Sequence, residues 1–200
     1  MTQKDDLIQF ISYFYQTKLI INLNVKKILE VGIGNKTASN YLKQRGLNVT
    51  TCDIDKRKEP DCVADIRQLP FKDNSFDAIM AYEVLEHLPW DNIDQVLEEL
   101  KRVTKRYVVI SIPYSSHHFE FIFKFPLMRK LIKRDFIDIF FRIPFPVRDI
   151  RGEYYHCWEI GRKSYPMQKF RKLLKKKFRI IGEVRPLLHS YHHFFILEKI

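Results

Sequence analysis

The stretch Ile28-Leu29-Glu30-Val31-Gly32-Ile33-Gly34 is an apolar strand that runs straight into a glycine turn. Residues 37–45 after it have helical spacing, and Gly46 can terminate that helix. Strand, glycine turn and helix in this order open an α/β fold built on a mostly parallel sheet. Toward the C-terminus, residues 48–52 read as a second strand ending at Asp53, residues 62–64 as a short third and residues 76–81 as a fourth. Asp91 is placed to cap a helix whose apolar stripe is Ile93, Val96, Leu97 and Leu100. Residues 107–112 form the most apolar strand, closed by Pro113. Ser164 and Pro166 start a helix carrying Met167, Phe170 and Leu174, and strands follow at 179–184 and 193–198. The sheet then has seven strands. Toward the N-terminus, residues 1–24 hold a helix in which Leu7, Phe10, Ile11 and Phe14 recur at i, i+3, i+4 and i+7, a stripe expected to pack on the main domain.

Open parallel sheets bind ligands beyond the carboxyl ends of their strands, where strand order reverses. Gly32 and Gly34 remove side chains at that position, so a ligand can lie against the main chain and the helix N-terminus. Asp53, at the end of the second strand, offers a carboxylate to a ribose diol. Together they point to a nucleoside, a feature that dinucleotide enzymes share.

Three further segments narrow the reading: Ala64-Asp65-Ile66-Arg67-Gln68-Leu69-Pro70-Phe71, Asn74-Ser75-Phe76-Asp77-Ala78-Ile79, and Tyr82-Glu83-Val84-Leu85-Glu86-His87-Leu88. With the glycine turn and Cys52-Asp53-Ile54, they resemble the class I S-adenosylmethionine-dependent methyltransferases of the type 11 kind, over about residues 26–113. The resemblance implies a Rossmann-like fold: a seven-stranded, mostly parallel sheet with an antiparallel last strand and helices on both faces. It implies S-adenosylmethionine as cofactor, with Glu30, Gly32 and Gly34 along its methionine part and Asp53 on the ribose hydroxyls. Ile54 would pack on the adenine, Asp65 would accept from the adenine amino group, and Ile66 would offer a backbone amide beside it. Tyr82 and Glu83 match the end of the fourth strand, where the chain passes the reacting sulfonium and the acceptor. One departure stands out: Lys36 replaces the third glycine of the family's GxGxG. A lysine there can pair with the cofactor's carboxylate or close its site. The second outcome would make the chain a noncatalytic binding module on the same fold.

Two hundred residues suit one domain, 1–200, and 46% hydrophobic with 30% charged residues excludes a disordered chain. Lys+Arg 35 against Asp+Glu 24 gives a net charge of +11, which attracts phosphates, nucleic acid or an anionic membrane surface. Cys52, Cys62 and Cys157 form neither a disulfide framework nor a zinc motif. Asp5-Asp6 near the start and the lack of a long uncharged apolar run speak against secretion and membrane spanning. The expected location is cytoplasmic, with peripheral membrane contact left open.

Residues 115–153 are an aromatic and basic insertion, with eight of the 16 phenylalanines between residues 115 and 150. Phe119, Phe121, Phe123 and Phe125 alternate as on an extended strand. From Pro126, Met128, Leu131, Ile132, Phe136, Ile139 and Phe140 form the apolar face of an expected helix, opposed by Arg129, Lys130, Lys133 and Arg134. Pro144 and Pro146 end it. A lid, a membrane contact and a dimer interface all remain open for this segment, and a lipid or other apolar small molecule is the favoured acceptor. Lys169, Arg171, Lys172, Lys175, Lys176 and Lys177 keep RNA methylation as an alternative. His87 and His156, the latter in Tyr154-Tyr155-His156-Cys157-Trp158-Glu159, are candidate bases, and neither is assigned as catalytic. His117-His118 and His192-His193 lack a metal-ligand set, so no metal is expected. The oligomeric state is left open.

Overall fold

A computed structural model describes residues 6–149 and 155–200. Helix α1 (Leu7–Asn22) precedes β1 (Lys27–Val31), α2 (Thr37–Gln44), β2 (Asn48–Asp53), β3 (Cys62–Val63), β4 (Phe76–Tyr82), α3 (Ile93–Val103) and β5 (Thr104–Pro113). The chain continues through β6 (His118–Phe123), α4 (Met128–Ile132), β7 (Ile137–Arg142), α5 (Met167–Leu174), β8 (Phe178–Val184) and β9 (His192–Lys199). Seven strands form one sheet in the order β3-β2-β1-β4-β5-β9-β8. β1 to β5 run parallel, while β9 pairs antiparallel with both β5 and β8. The seven-stranded arrangement with an antiparallel last strand agrees with the sequence reading.

The core lies on both faces of the sheet because side chains alternate along each strand. Leu29, Val31, Ile79 and Ala81 join α3 and α5 on one face. Ile28 and Met80 join Leu19, Ile20, Leu42 and Phe194 on the other. Ile93, Val96, Leu97, Leu100 and Val103 of α3 are fully buried, and each aliphatic side chain so buried contributes about 1.5–3 kcal/mol. Asp91 does not cap α3. It falls inside a short 3-10 turn, Trp90–Asn92, and Asn92 precedes the helix without a side-chain cap bond.

Two expected amphipathic elements are oriented differently. Leu7, Phe10 and Phe14 of α1 face outward and are exposed, while Ser12, Tyr13, Gln16 and Thr17 face inward with Leu19 and Ile20. Polar partners set this rotation. The Tyr82 hydroxyl donates to the Gln16 carbonyl at 3.0 Å, and Ser12 Oγ lies 3.0 Å from His192 Nδ1. Turning the apolar stripe inward would strand those groups, and an unsatisfied buried polar group costs about 1–3 kcal/mol.

The expected helix from Pro126 to Phe140 shrinks to α4, bounded by left-handed residues Leu127 (φ +63°) and Lys133 (φ +55°). Residues 137–142 instead pair with β6 as an antiparallel ribbon, with Phe119 opposite Phe141 and Phe121 opposite Ile139. Ile137, Ile139, Phe140 and Phe141 are β-branched or aromatic, which suits a pleated strand better than a helix. Phe119, Phe121, Phe123, Ile139 and Phe141 are each about half exposed on the outer face. The inner face carries Glu120 and Asp138 with Ile122 and Phe140, and Arg142 and Arg185 both lie over the Phe140 ring. Arg185 pairs with Glu120 and Asp138, the Arg142 guanidinium stacks 3.8 Å from the Tyr114 ring, and His118 Nε2 meets Ser190 Oγ at 2.7 Å. Residues 150–153 of the expected insertion lie outside the described residues.

Arg185 is 16% exposed, so Arg185→Met leaves two half-buried carboxylates without their cation, at a cost of about 3–5 kcal/mol. The expected result is a ribbon that detaches while the seven-stranded body stays folded. Limited proteolysis should cut within residues 124–136 roughly tenfold faster, with the melting of the body nearly unchanged. Unaltered cleavage would show that the ribbon is held elsewhere.

Candidate active site

At the carboxyl ends of β1, β2 and β4 the chain encloses a cavity of about 620 Å³. The turn after β1 adopts positive φ at Gly32 (+79°) and Gly34 (+49°). A Cβ at Gly32 would lie 2.2 Å from Val84 Cγ2, so this glycine permits the close approach of the turns after β1 and β4. A Cβ at Gly34 would meet nothing within 4 Å, which leaves open space above the backbone for a ligand. The buried Asp53 carboxylate accepts from Ile33 N (3.0 Å), Asp55 N (2.9 Å) and Lys58 Nζ (2.9 Å). These bonds fix the carboxylate at the cavity wall. Ile54 beside it is 70% exposed and makes an apolar shelf along the same wall.

Asp65 is clamped by Arg67 through Nε (3.0 Å) and Nη2 (2.6 Å), and those bonds lower its pKa. Ile66 is buried next to it. Lys36 takes the left-handed conformation (φ +64°) and sends Nζ to the Glu59 carbonyl at 2.8 Å. It is not part of the cavity wall.

The other end of the cavity is rich in carboxylates and imidazoles. Glu30 is buried, and desolvation raises its pKa to about 7. Glu83 takes a positive φ (+53°) at the end of β4, a conformation costly for a residue with a side chain. Burial raises its pKa as well, and its Oε2 lies 3.3 Å from His192 Nε2. Desolvation pushes His192 down to about 3, so its imidazole is neutral at physiological pH. Burial alone would raise Glu159, but hydrogen bonds from His156, Ser115, Tyr191 and Arg162 outweigh it and hold Glu159 at about 2. His156 Nδ1 lies 2.9 Å from Glu159 Oε1, and His87 Nδ1 lies 2.9 Å from the Tyr155 carbonyl. The two rings meet edge to face, 5.0 Å apart.

The strand order, with its reversal between β1 and β4, is that of the class I methyltransferase fold. Residues 29–112 match the family model described as a methyltransferase domain, the segment in which the sequence motifs lie. A demethylmenaquinone methyltransferase of Paenarthrobacter aurescens is 34% identical over 90 residues, covering 40% of this chain and 35% of the relative. The match thus spans about a third of that curated relative. Among solved structures, the magnesium protoporphyrin IX methyltransferase of Synechocystis with bound SAH superposes with a TM-score of 0.62 at 14% identity, covering 100% of this chain and 90% of that one. A 1,6-didemethyltoxoflavin-N1-methyltransferase of Burkholderia thailandensis, with its acceptor and S-adenosylhomocysteine bound, gives 0.60 at 13% identity, covering 94% and 78%. At such identities the superpositions establish the fold.

All nine residues singled out from the sequence for the cofactor line the one cavity, and so do His87 and His156. Sequence reasoning missed Tyr13 and Gln16 of α1, Lys58, Tyr191 and His192, which also line it. The polar face of α1 was a signal for the first two. For His192 there was none beyond its pairing with His193. The basic cluster near α5 is partly occupied: Arg171 pairs with Glu183, Lys177 with Glu98, and Lys169 lies over Trp90 and Tyr165.

Gly32→Ala is expected to destabilise the protein by about 1–3 kcal/mol, from its positive φ and from the clash with Val84. Denaturant unfolding of Gly32→Ala with and without Val84→Ala separates the two causes. The double variant should recover part of the loss, with the conformational part remaining.

Proposed function

We propose that this chain is an S-adenosylmethionine-dependent methyltransferase whose acceptor is a small apolar molecule met at an anionic membrane surface. The observation that carries the first half is the convergence of Glu30, Gly32, Gly34, Asp53, Ile54, Asp65, Ile66, Tyr82 and Glu83 on one cavity with an open glycine cradle. When bound, S-adenosylmethionine supplies a methyl group on a positively charged sulfur. The chain's own residues hold and orient. Asp53 presents its remaining lone pairs to a vicinal diol, and Ile54 offers an apolar shelf to a flat base. Asp65 keeps acceptor capacity at the rim. Alignment of two reactants in such a cavity can contribute roughly 7–11 kcal/mol to the rate. Glu30 and Glu83, held in low dielectric, favour a ligand that carries positive charge. Among the described residues hydrogen bonds occupy Nδ1 but not Nε2 of His87 and His156, which places the Nε2 atoms to take a proton at the acceptor end.

Support for the apolar acceptor comes from the curated relative, which is named for a quinone-type substrate, and from the outer face of the β6–β7 ribbon. Arg129, Lys130, Lys133 and Arg134, on the connection between the ribbon's strands, are exposed beside Leu127 and Leu131. Apolar side chains flanked by cations match an anionic lipid surface. Among the described residues no helix is long and apolar enough to cross a membrane. The turn of Lys36 toward Glu59 weighs against a binding module with a closed site, and the ion pairs of Arg171 and Lys177 weigh against RNA.

Calorimetric titration of S-adenosylmethionine tests the first half. Asp53→Ala should weaken binding by at least about tenfold, since each charged hydrogen bond is worth about 1.5–3 kcal/mol. Glu30 must be ionised to meet a cationic ligand, so affinity should fall as pH drops through about 7. S-adenosylhomocysteine, which lacks the sulfonium charge, should show the weaker pH dependence. Absence of binding at any pH would return the chain to the binding-module reading.

Vesicle flotation tests the second half. Wild type should float with vesicles containing phosphatidylserine and stay behind with neutral ones. Replacing Phe121 and Phe141 together with Ser should abolish flotation without changing cofactor affinity. Equal flotation of the double variant would remove the membrane from the proposal.

A further inference from the structure

Glu86, on the turn after β4, is fully buried, and neither carboxylate oxygen has a hydrogen-bond partner among the described residues. Burying a carboxylate with nothing to pair it is among the costliest arrangements in a protein interior. Two imidazoles lie beside it: one ligand atom from each of Glu86, His87 and His156 falls within 4.8 Å of the others. Both rings are already oriented. Nδ1 of His87 faces a carbonyl, which can only accept, so that nitrogen carries the proton. Nδ1 of His156 faces the Glu159 carboxylate, with the same consequence. With Nδ1 so engaged, Nε2 of each ring has no hydrogen bond among the described residues. Imidazoles held through the far nitrogen by a carbonyl or a carboxylate are the usual outer-sphere arrangement of metal-bound histidines. The segment carrying His156 is fixed against the turn, since Cys157 N donates to the Glu86 carbonyl at 2.7 Å.

We infer that Glu86, His87 and His156 form a binding site for one divalent transition-metal cation, open to the cavity on its remaining side. Ligands about 2.1 Å from one ion stand roughly 3.4 Å apart in a tetrahedral site, so side-chain shifts on the order of 1 Å complete the set. Two imidazoles and one carboxylate suit zinc, iron(II) or similar ions better than magnesium, which prefers oxygen ligands. Glu86 as ligand offsets one of the two positive charges, while Glu159 behind His156 is already paired with Arg162. His87 and His156 both line the cavity, so the open coordination position faces the space left for the acceptor. That position takes an oxygen donor: a hydroxyl bound there loses its proton to solvent more readily and is held as the oxyanion. The role toward the acceptor rests on the function proposed above, while the cation site does not. If it is filled, the two Nε2 atoms are ligands and no longer proton acceptors.

The test uses protein stripped with a chelator and titrated with zinc alone, followed by calorimetry and elemental analysis. One equivalent is expected to bind and to raise the melting temperature. His87→Ala and His156→Ala should each weaken binding by at least about tenfold, and their combination should abolish it. His87 is exposed, so its loss leaves the fold intact, which Glu86→Gln does not guarantee. Cys157→Ser should bind zinc as wild type does. No zinc uptake by wild type, or uptake lost in Cys157→Ser and kept in the double histidine variant, overturns the site. The acceptor class is read with 4-nitrocatechol, whose absorption should shift on the zinc-loaded wild type only. An equal shift on the double variant overturns that part. Binding of S-adenosylmethionine to the zinc-free protein, measured in parallel, tells failure of this site from failure of the methyltransferase reading.

Discussion

The Val84 side chain fills the place where a Cβ on residue 32 would stand, and that contact joins the turn after β1 to the turn after β4. Everything chemical in the molecule hangs on this junction. On one side of it the backbone of Gly32 to Gly34 is laid open and Asp53 is held in place by the Ile33 amide. On the other side the chain is forced through a left-handed residue at Glu83 and on to Glu86 and His87. Parallel pairing of β1 with both β2 and β4 brings the two turns to the same edge of the sheet. The missing side chain sets how closely they meet.

The cavity and the surface carry opposite electrostatic characters. The chain has a net charge of +11, yet the cavity is walled by Glu30, Asp53, Asp65 and Glu83, with Glu86 and Glu159 around it. Only some of these acids have cationic partners: Asp53 has Lys58, Asp65 has Arg67 and Glu159 has Arg162. Glu30, Glu83 and Glu86 each leave at least one oxygen without a hydrogen bond among the described residues. A folded chain that keeps such acids in low dielectric is built for positive charge arriving from outside. A sulfonium and a divalent cation would each meet that demand, at the acid-rich end of the same space.

How far the sequence reached follows from the range of each interaction. The glycine-turn end of the cavity was readable because it is local: a glycine turn, an acid closing a strand and the residues beside them are set within short stretches whose conformations those residue types dictate. The sheet was readable for the same reason, since period-two runs and turn residues mark strands wherever they fall. Helix α1 was not, because its apolar stripe is real but faces outward. Its orientation is decided by the Tyr82 hydroxyl and His192, residues far along the chain. The ribbon misled in another way. Residues 126–140 carry a helical apolar period, and only the pairing of 137–142 with 118–123 reveals a strand. The Glu86, His87 and His156 group lies beyond any spacing rule, because the third member arrives from the segment after the ribbon.

Most amphipathic elements use their apolar face to attach to the rest of the protein. The β6–β7 ribbon attaches through the opposite face, by Arg185, Arg142 and His118. Phe119, Phe121, Phe123, Ile139 and Phe141 stay about half exposed, so much of the hydrophobic free energy they carry is not realised by folding of the ribbon. At about 25 cal/mol for each Å² removed from water, that free energy remains in reserve for association. The ionic anchor also responds to temperature differently from an apolar one: cooling weakens burial, but it does not weaken charge pairing in the same way. The ribbon is thus a surface whose attachment and whose stickiness are governed by separate forces, so either can change while the other stays as it is.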